Sequence, residues 1–171
     1  MPVEAEEGAP AAALDELKAY LRMEGGAEDA LLAGLLRGAA GLCEQFIGQW
    51  LIAREARQTV IADGTWRKLA AGPVTAILEV TEAGGGTLPV ERYAIDIDAR
   101  GDGWVKAATD APVTVRYRAG MAADLNGVPE AIRQGIVRLA AEHHAARMGE
   151  AAVPPAAVSA LWRPWRRMRL S

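Results

Sequence analysis

A chain of 171 residues with a formal net charge of −3, half of it apolar and a quarter charged, fits one soluble domain with a modest core; its charge excludes a general attraction for nucleic acid. The single cysteine, Cys43, excludes an internal disulfide and any cysteine-cluster metal site. No apolar run reaches the roughly 18–20 residues of a membrane span, and Met1-Pro2-Val3-Glu4 lacks the basic and apolar regions of a secretory signal, so cytoplasmic synthesis without a membrane is expected.

Residues 1–12 are rich in Glu, Ala, Gly and Pro without periodicity, which predicts a disordered acidic arm. Leu14, Leu17 and Leu21 then recur at helical spacing and predict a helix over 14–23, broken by Gly25-Gly26. A long helix follows over 28–50. Its apolar stripe is broad and takes in Leu31, Leu32, Leu35, Leu36, Ala39, Leu42, Cys43, Phe46, Ile47 and Trp50. Gly34, Gly38 and Gly41 share one side of it. Each glycine weakens a helix by up to about 1 kcal/mol against alanine, so either another backbone packs closely there or the composition has simply drifted.

From 51 to 118 the pattern changes to β. Thr59–Ile61, Val74–Val80, Tyr93–Ile97 and Val113–Tyr117 read as short strands, separated by turn signals at Asp63-Gly64, Gly72-Pro73, Gly84-Gly85-Gly86 and Gly101-Asp102-Gly103. This region is too short for a sandwich of its own and is expected to share its core with the helices. Pro129 and Glu130 start a helix over 129–148, and a short helix covers 156–162 before Pro164. The elements predict an α+β fold: mainly a helical bundle with an inserted small antiparallel β-sheet. They form a single domain over 13–162, followed by an extended arm over 163–171.

Little of the chemistry survives inspection. Asp96, Asp98, Gly101 and Asp102 have the look of a calcium loop, but its fifth and twelfth places hold Arg100 and Ala107. His143 and His144 point about 100° apart on a helix and suit one core and one surface histidine better than a zinc pair. Cys43 lies on the apolar stripe, where packing is its natural role. Gly84-Gly85-Gly86 lacks the Lys-Ser/Thr of a phosphate loop. No catalytic, cofactor or metal site emerges, and the chain is not expected to be an enzyme.

The C-terminal segment is different. Trp162, Trp165, Met168 and Leu170 interleave with Arg163, Arg166, Arg167 and Arg169, and no acidic residue follows Glu150. Tryptophan and arginine are the residue types most enriched at interface hot spots. Three readings stand open: an arm that docks on another protein, contact with DNA phosphates, or a tail folded back on its own domain with arginines reaching outward.

The assembled pieces resemble the head–tail connector (adaptor) family of tailed phages, including the adaptors of gene transfer agents. The resemblance rests on Leu14–Arg22 leading into Glu28–Leu32, on Cys43-Glu44-Gln45-Phe46-Ile47-Gly48 closing the long helix, on Gly72-Pro73-Val74 entering a strand, on Val115–Gly120 followed by Val128-Pro129 and a helix, and on the close Leu161–Pro164, Arg166-Arg167, Arg169-Leu170. It spans about 14–171, in that order. Two places depart from the family: Trp165 stands where a tyrosine is usual, and His143-His144 replace a frequent aromatic.

The resemblance implies a structural virion protein of the head–tail junction, assembled in the bacterial cytoplasm. It implies a homo-oligomeric ring of about twelve copies under the portal, which extends the DNA channel and offers a platform to the next tail or stopper protein. DNA would pass through a neutral or acidic lumen without sequence-specific binding. Trp162, Trp165, Arg166, Arg167, Arg169 and Leu170 are then the expected portal-binding residues. A neck or tail-completion protein of the same particle is the alternative, and a small DNA-binding protein a more distant one.

Overall fold

A computed structural model describes residues 11–146 and 154–167. Residues 1–10 of the expected acidic arm (1–12), the last residues of the 129–148 helix, and Arg169 and Leu170 lie outside them. The chain divides into two compact units. Among the described residues, a β unit covers Ile52–Met121, and a helical unit is made of those up to Leu51 and those from Ala122 onward.

The helical unit holds the four α-helices among the described residues: α1 (Ala11–Leu21), α2 (Asp29–Ile47), α3 (Glu130–Ala146) and α4 (Ala156–Trp162). The first of these starts two residues inside the expected arm. It ends before the glycine pair because Arg22 turns into the left-handed region (φ 55°) and Met23 N–H closes back on the Lys18 carbonyl. Gly48 does the same for α2, at φ 69°, with its N–H on the Glu44 carbonyl. This is why α2 stops at Ile47 and does not run to residue 50.

The buried sides of these helices meet in one core. Leu32, Leu36, Ala39, Cys43 and Ile47 come from α2, and Ile132, Ile136, Leu139 and Ala140 from α3. Ala13 and Leu17 of α1 and Val158 and Trp162 of α4 complete it. Burial and the neighbouring Glu44 carboxylate push the Cys43 thiol well above the ordinary cysteine range, which fits a packing residue and not a nucleophile.

The β unit contains two three-stranded antiparallel sheets where one was expected. Strands β1 (Arg54–Val60), β6 (Val113–Ala119) and β3 (Val74–Glu82) form the first, in the order β1-β6-β3. Strands β2 (Asp63–Lys68), β5 (Gly103–Ala108) and β4 (Tyr93–Ile97) form the second, in the order β2-β5-β4. With six strands beside four helices, the chain is α+β but not mainly a helical bundle.

The unit also has an interior of its own. Val74, Val80, Val113, Val115 and Tyr117 of the first sheet are buried, as are Val105 and Ala107 of the second. At Gly103 a Cβ atom would lie 2.8 Å from Val74 Cγ2 and 2.9 Å from Leu69 Cδ1, so the two sheets approach as closely there as a glycine allows. Outward positions of the first sheet carry charges. Arg116 lies between Glu79 and Glu55, at 3.2 Å from each, in solvent-screened pairs that contribute little to stability.

The aspartate-rich turn before β5 is a structural turn. Asp98 Oδ1 accepts N–H bonds from Arg100 (2.8 Å) and Asp102 (3.0 Å), and Asp98 Oδ2 accepts from the Trp104 indole (3.3 Å). The Asp102 amide, then the Trp104 and Arg100 donors, hold the Asp98 carboxyl below its usual range. A lowered folded-state pKa contributes stability that is present above the unfolded value of about 3.9 and lost as pH falls through the folded value. Thermal melts of Asp98→Asn should therefore be less stable than wild type at neutral pH, with the difference shrinking as pH drops below about 4. An unchanged gap down to the acid transition would mean that the carboxylate charge plays no part in the turn.

Candidate partner-binding surface

The C-terminal segment is built around Trp162. Pro154-Pro155 bring the chain into α4, and Ser159 Oγ donates to the Pro154 carbonyl at 3.1 Å. One further turn (Arg163–Trp165) carries Pro164 in its first positions. Trp162 is 0 % exposed. Its indole N–H donates to the Ile132 carbonyl of α3 at 3.2 Å, and its ring lies 5.9 Å from that of Phe46 in a tilted arrangement. The ring fits because α3 has Gly135 there: a Cβ would meet the Trp162 Nε1 atom at 2.2 Å.

This corrects the expectation for Trp162, which packs inside its own unit and is not available as a surface contact. The described part of the arm is also not extended away from the domain. Gln49, a buried polar residue, donates its side-chain N–H to the Trp165 carbonyl at 2.6 Å. The Arg167 N–H donates to the Ile47 carbonyl at 2.8 Å and so satisfies an acceptor at the end of α2.

What these bonds leave at the surface is a small Trp/Arg rim. Trp165 is 37 % exposed and Arg163 and Arg166 are exposed. The Arg166 guanidinium carbon lies 5.6 Å from the Phe46 ring centroid, a cation–π placement, so Phe46 neighbours both Trp162 and Arg166. Of the six residues singled out in the sequence, Trp165, Arg166 and Arg167 come together at the C-terminal end of α2.

A second surface went unrecognised in the sequence: the outward side of α2. Leu31 is 53 % exposed, Leu35 and Leu42 are half-buried, and Gly38 and Gln45 are exposed. A Cβ atom at Gly38 or Gly41 would meet nothing within 4 Å among the described residues. By length and composition α2 could also cross a membrane, contrary to the expectation that no segment would. Its five buried residues lie on the side that packs with α3. The signal was in the sequence, because the apolar stripe is wider than one packing face needs.

The histidines are neither core nor isolated. Both are half-buried, and His144 Nε2 lies 3.0 Å from Glu28 Oε2. Among the described residues, no three His, Cys, Asp or Glu side chains gather into a metal-holding group.

Two helical glycines should respond to alanine with opposite sign. Gly135→Ala should destabilise the chain by about 1–3 kcal/mol, because Trp162 must move. Gly38→Ala, with open space around it, should stabilise it by up to about 1 kcal/mol. Urea unfolding of the two isolated variants checks both, and equal effects would remove the packing account of Gly135.

No protein-family model and no curated protein matches the chain. Solved structures do. A chain from the neck of an empty gene transfer agent particle, computed with C6 symmetry, is 27 % identical with a TM-score of 0.75, covering 100 % of this chain and 98 % of that one. A chain from the neck of the native particle, computed with C12 symmetry, is 26 % identical with a TM-score of 0.74 and the same coverage. A chain from the virion of the native particle is 27 % identical with a TM-score of 0.72, covering 96 % and 95 %. These likenesses bear out the resemblance to gene transfer agent head–tail adaptors drawn from the sequence.

Proposed function

From the likeness to gene transfer agent neck chains, we propose that this protein is a structural subunit of a virion neck, a head–tail adaptor that joins the DNA-filled head to the tail. The observation that carries the reading is coverage. The match runs through both units and leaves almost nothing of either chain over, so the likeness is to a whole neck subunit and not to a shared module.

In this reading the subunits form a homo-oligomeric ring of about twelve copies, consistent with the C12 symmetry used for the native neck. The ring extends the channel below the portal, lets DNA pass without reading its sequence, and offers its far side to a tail or stopper protein. The function is assembly and not catalysis. The residues whose chemistry attracted attention are engaged elsewhere: Cys43 in the helical core, Asp98 in a turn.

The Trp/Arg rim is the portal contact. Trp165, Arg166 and Arg167 contribute from the described structure; Arg169 and Leu170, also expected contacts from the sequence, lie outside the described residues. Trp162 holds the segment in place from inside. An aromatic anchor beside guanidinium groups suits a partner surface with an apolar pocket edged by carboxylates.

The alternative, a neck or tail-completion protein elsewhere in the same particle, differs in which neighbour the rim touches. A truncation before Trp162 would not separate the readings, because it also removes a core residue. The triple substitution Trp165→Ala, Arg166→Ala, Arg167→Ala keeps the backbone bond to Ile47 and removes only side chains. The isolated variant should remain folded by circular dichroism. Hot-spot losses of about 2 kcal/mol or more predict at least a roughly thirty-fold drop in its binding to portal-bearing heads. Full recovery of joined particles with this variant would rule out the rim as the portal contact.

A further inference from the structure

The outward side of α2 has a definite shape. On a 100° helical wheel Gly34, Gly38 and Gly41 run along its middle, with Gln45 at the end of the row. Leu31, Leu35 and Leu42 form a wall on one side, and Ala30 and Arg37 stand on the other. Gly34-x-x-x-Gly38 lowers the backbone surface, so the feature is a shallow apolar furrow about 16 Å long from Gly34 to Gln45. Apart from the adjacent backbone of α2 itself and the neighbouring residues in sequence, the Arg37 guanidinium is the one described group within 4 Å of a Cβ placed at any of the three glycines. Leu31, on the furrow's wall, is 53 % exposed.

We infer that this furrow is the subunit–subunit contact of the ring, and that its occupant is a second copy of this chain. The inference rests on the neck reading above and adds the surface that closes the ring. Three observations select the second copy. The native neck chain that covers this whole chain sits in an assembly with twelve-fold symmetry, so each copy has equivalent neighbours around the axis. A closed ring needs a heterologous contact in which every subunit offers the same patch to the next, and a surface that is apolar in every copy must be covered in every copy.

The third observation is the furrow itself, which argues against lipid. Glycines on a membrane-facing side would forgo packing that larger side chains supply, whereas against another backbone they allow close approach. Arg37 and Glu44 would also have to lie within the span.

The test places a photo-crosslinking phenylalanine analogue at Gly38, where there is open space to hold it, in chains incorporated into particles. Irradiation should yield covalent multimers of the 18.1 kDa chain. Adducts with a different virion protein, adducts with lipid, or peptide maps showing only links within one chain would each overturn the inference.

A second arm uses Gly38→Trp. The isolated variant should melt no lower than wild type, while ring-bearing particles fall by roughly tenfold or more. Normal rings from this variant would also overturn the inference. The two levels of the argument fail differently. Absence of the wild-type chain from purified particles defeats the neck reading and this inference together. Wild-type rings that crosslink through another surface defeat this inference alone.

Discussion

One indole ring fixes the geometry of the helical unit. Trp162 fills the space that Gly135 leaves on α3, and its N–H reaches the Ile132 carbonyl. A helix-interior carbonyl already accepts one bond, so this second one costs α3 nothing and tells α4 where to lie. Phe46 of α2 lies against the same ring, and the Arg166 guanidinium lies against Phe46 in turn. Three helices and the turn after α4 are thus set by one side chain. The Trp/Arg rim is a dependent of that packing: Trp165 and Arg166 stand where they do because Trp162 is anchored three and four residues earlier.

The helices were legible in the sequence because their periodicity and breakers agree. The α4 boundaries came out as read, α2 stops three residues short of the expected end, and α3 starts one residue after the expected position. The ends of α1 and α2 depended on left-handed residues, Arg22 and Gly48, of which only the glycine announces itself. The strands β2 and β5 were missed. Strand β2 is mostly exposed and polar, and β5 turns Gly103, Val105 and Ala107 inward, two of which are too small to mark a strand. Their absence made the β region look too thin for an interior of its own. For the C-terminal segment the residue types drew attention correctly to the place, but composition cannot tell an inward tryptophan from an outward one. Only the Gly135 opening decides that, and it lies 27 residues away.

The two candidate surfaces suit different tasks. The α2 furrow is shallow, nearly uncharged and made by backbone, so it favours a partner that packs along its length and tolerates little bulk. The rim is compact, aromatic and cationic, so it favours a pocket and a local field. Neither requires a cavity, and the charged outer side of the first sheet, with Arg116 between two glutamates, is largely self-neutralised.

The helical unit is discontinuous in the chain, and this has a consequence for how the protein is made. The β unit is a single stretch, Ile52–Met121, and can fold on the ribosome as soon as it emerges. α1 and α2 leave first but must wait for α3 and α4, with the whole β unit synthesised in between. During that interval both sides of α2 are apolar and uncovered. A subunit built this way becomes competent in its helical half only near the end of translation, so chaperone demand during synthesis should concentrate on the earliest-made part of the chain and not on its strands.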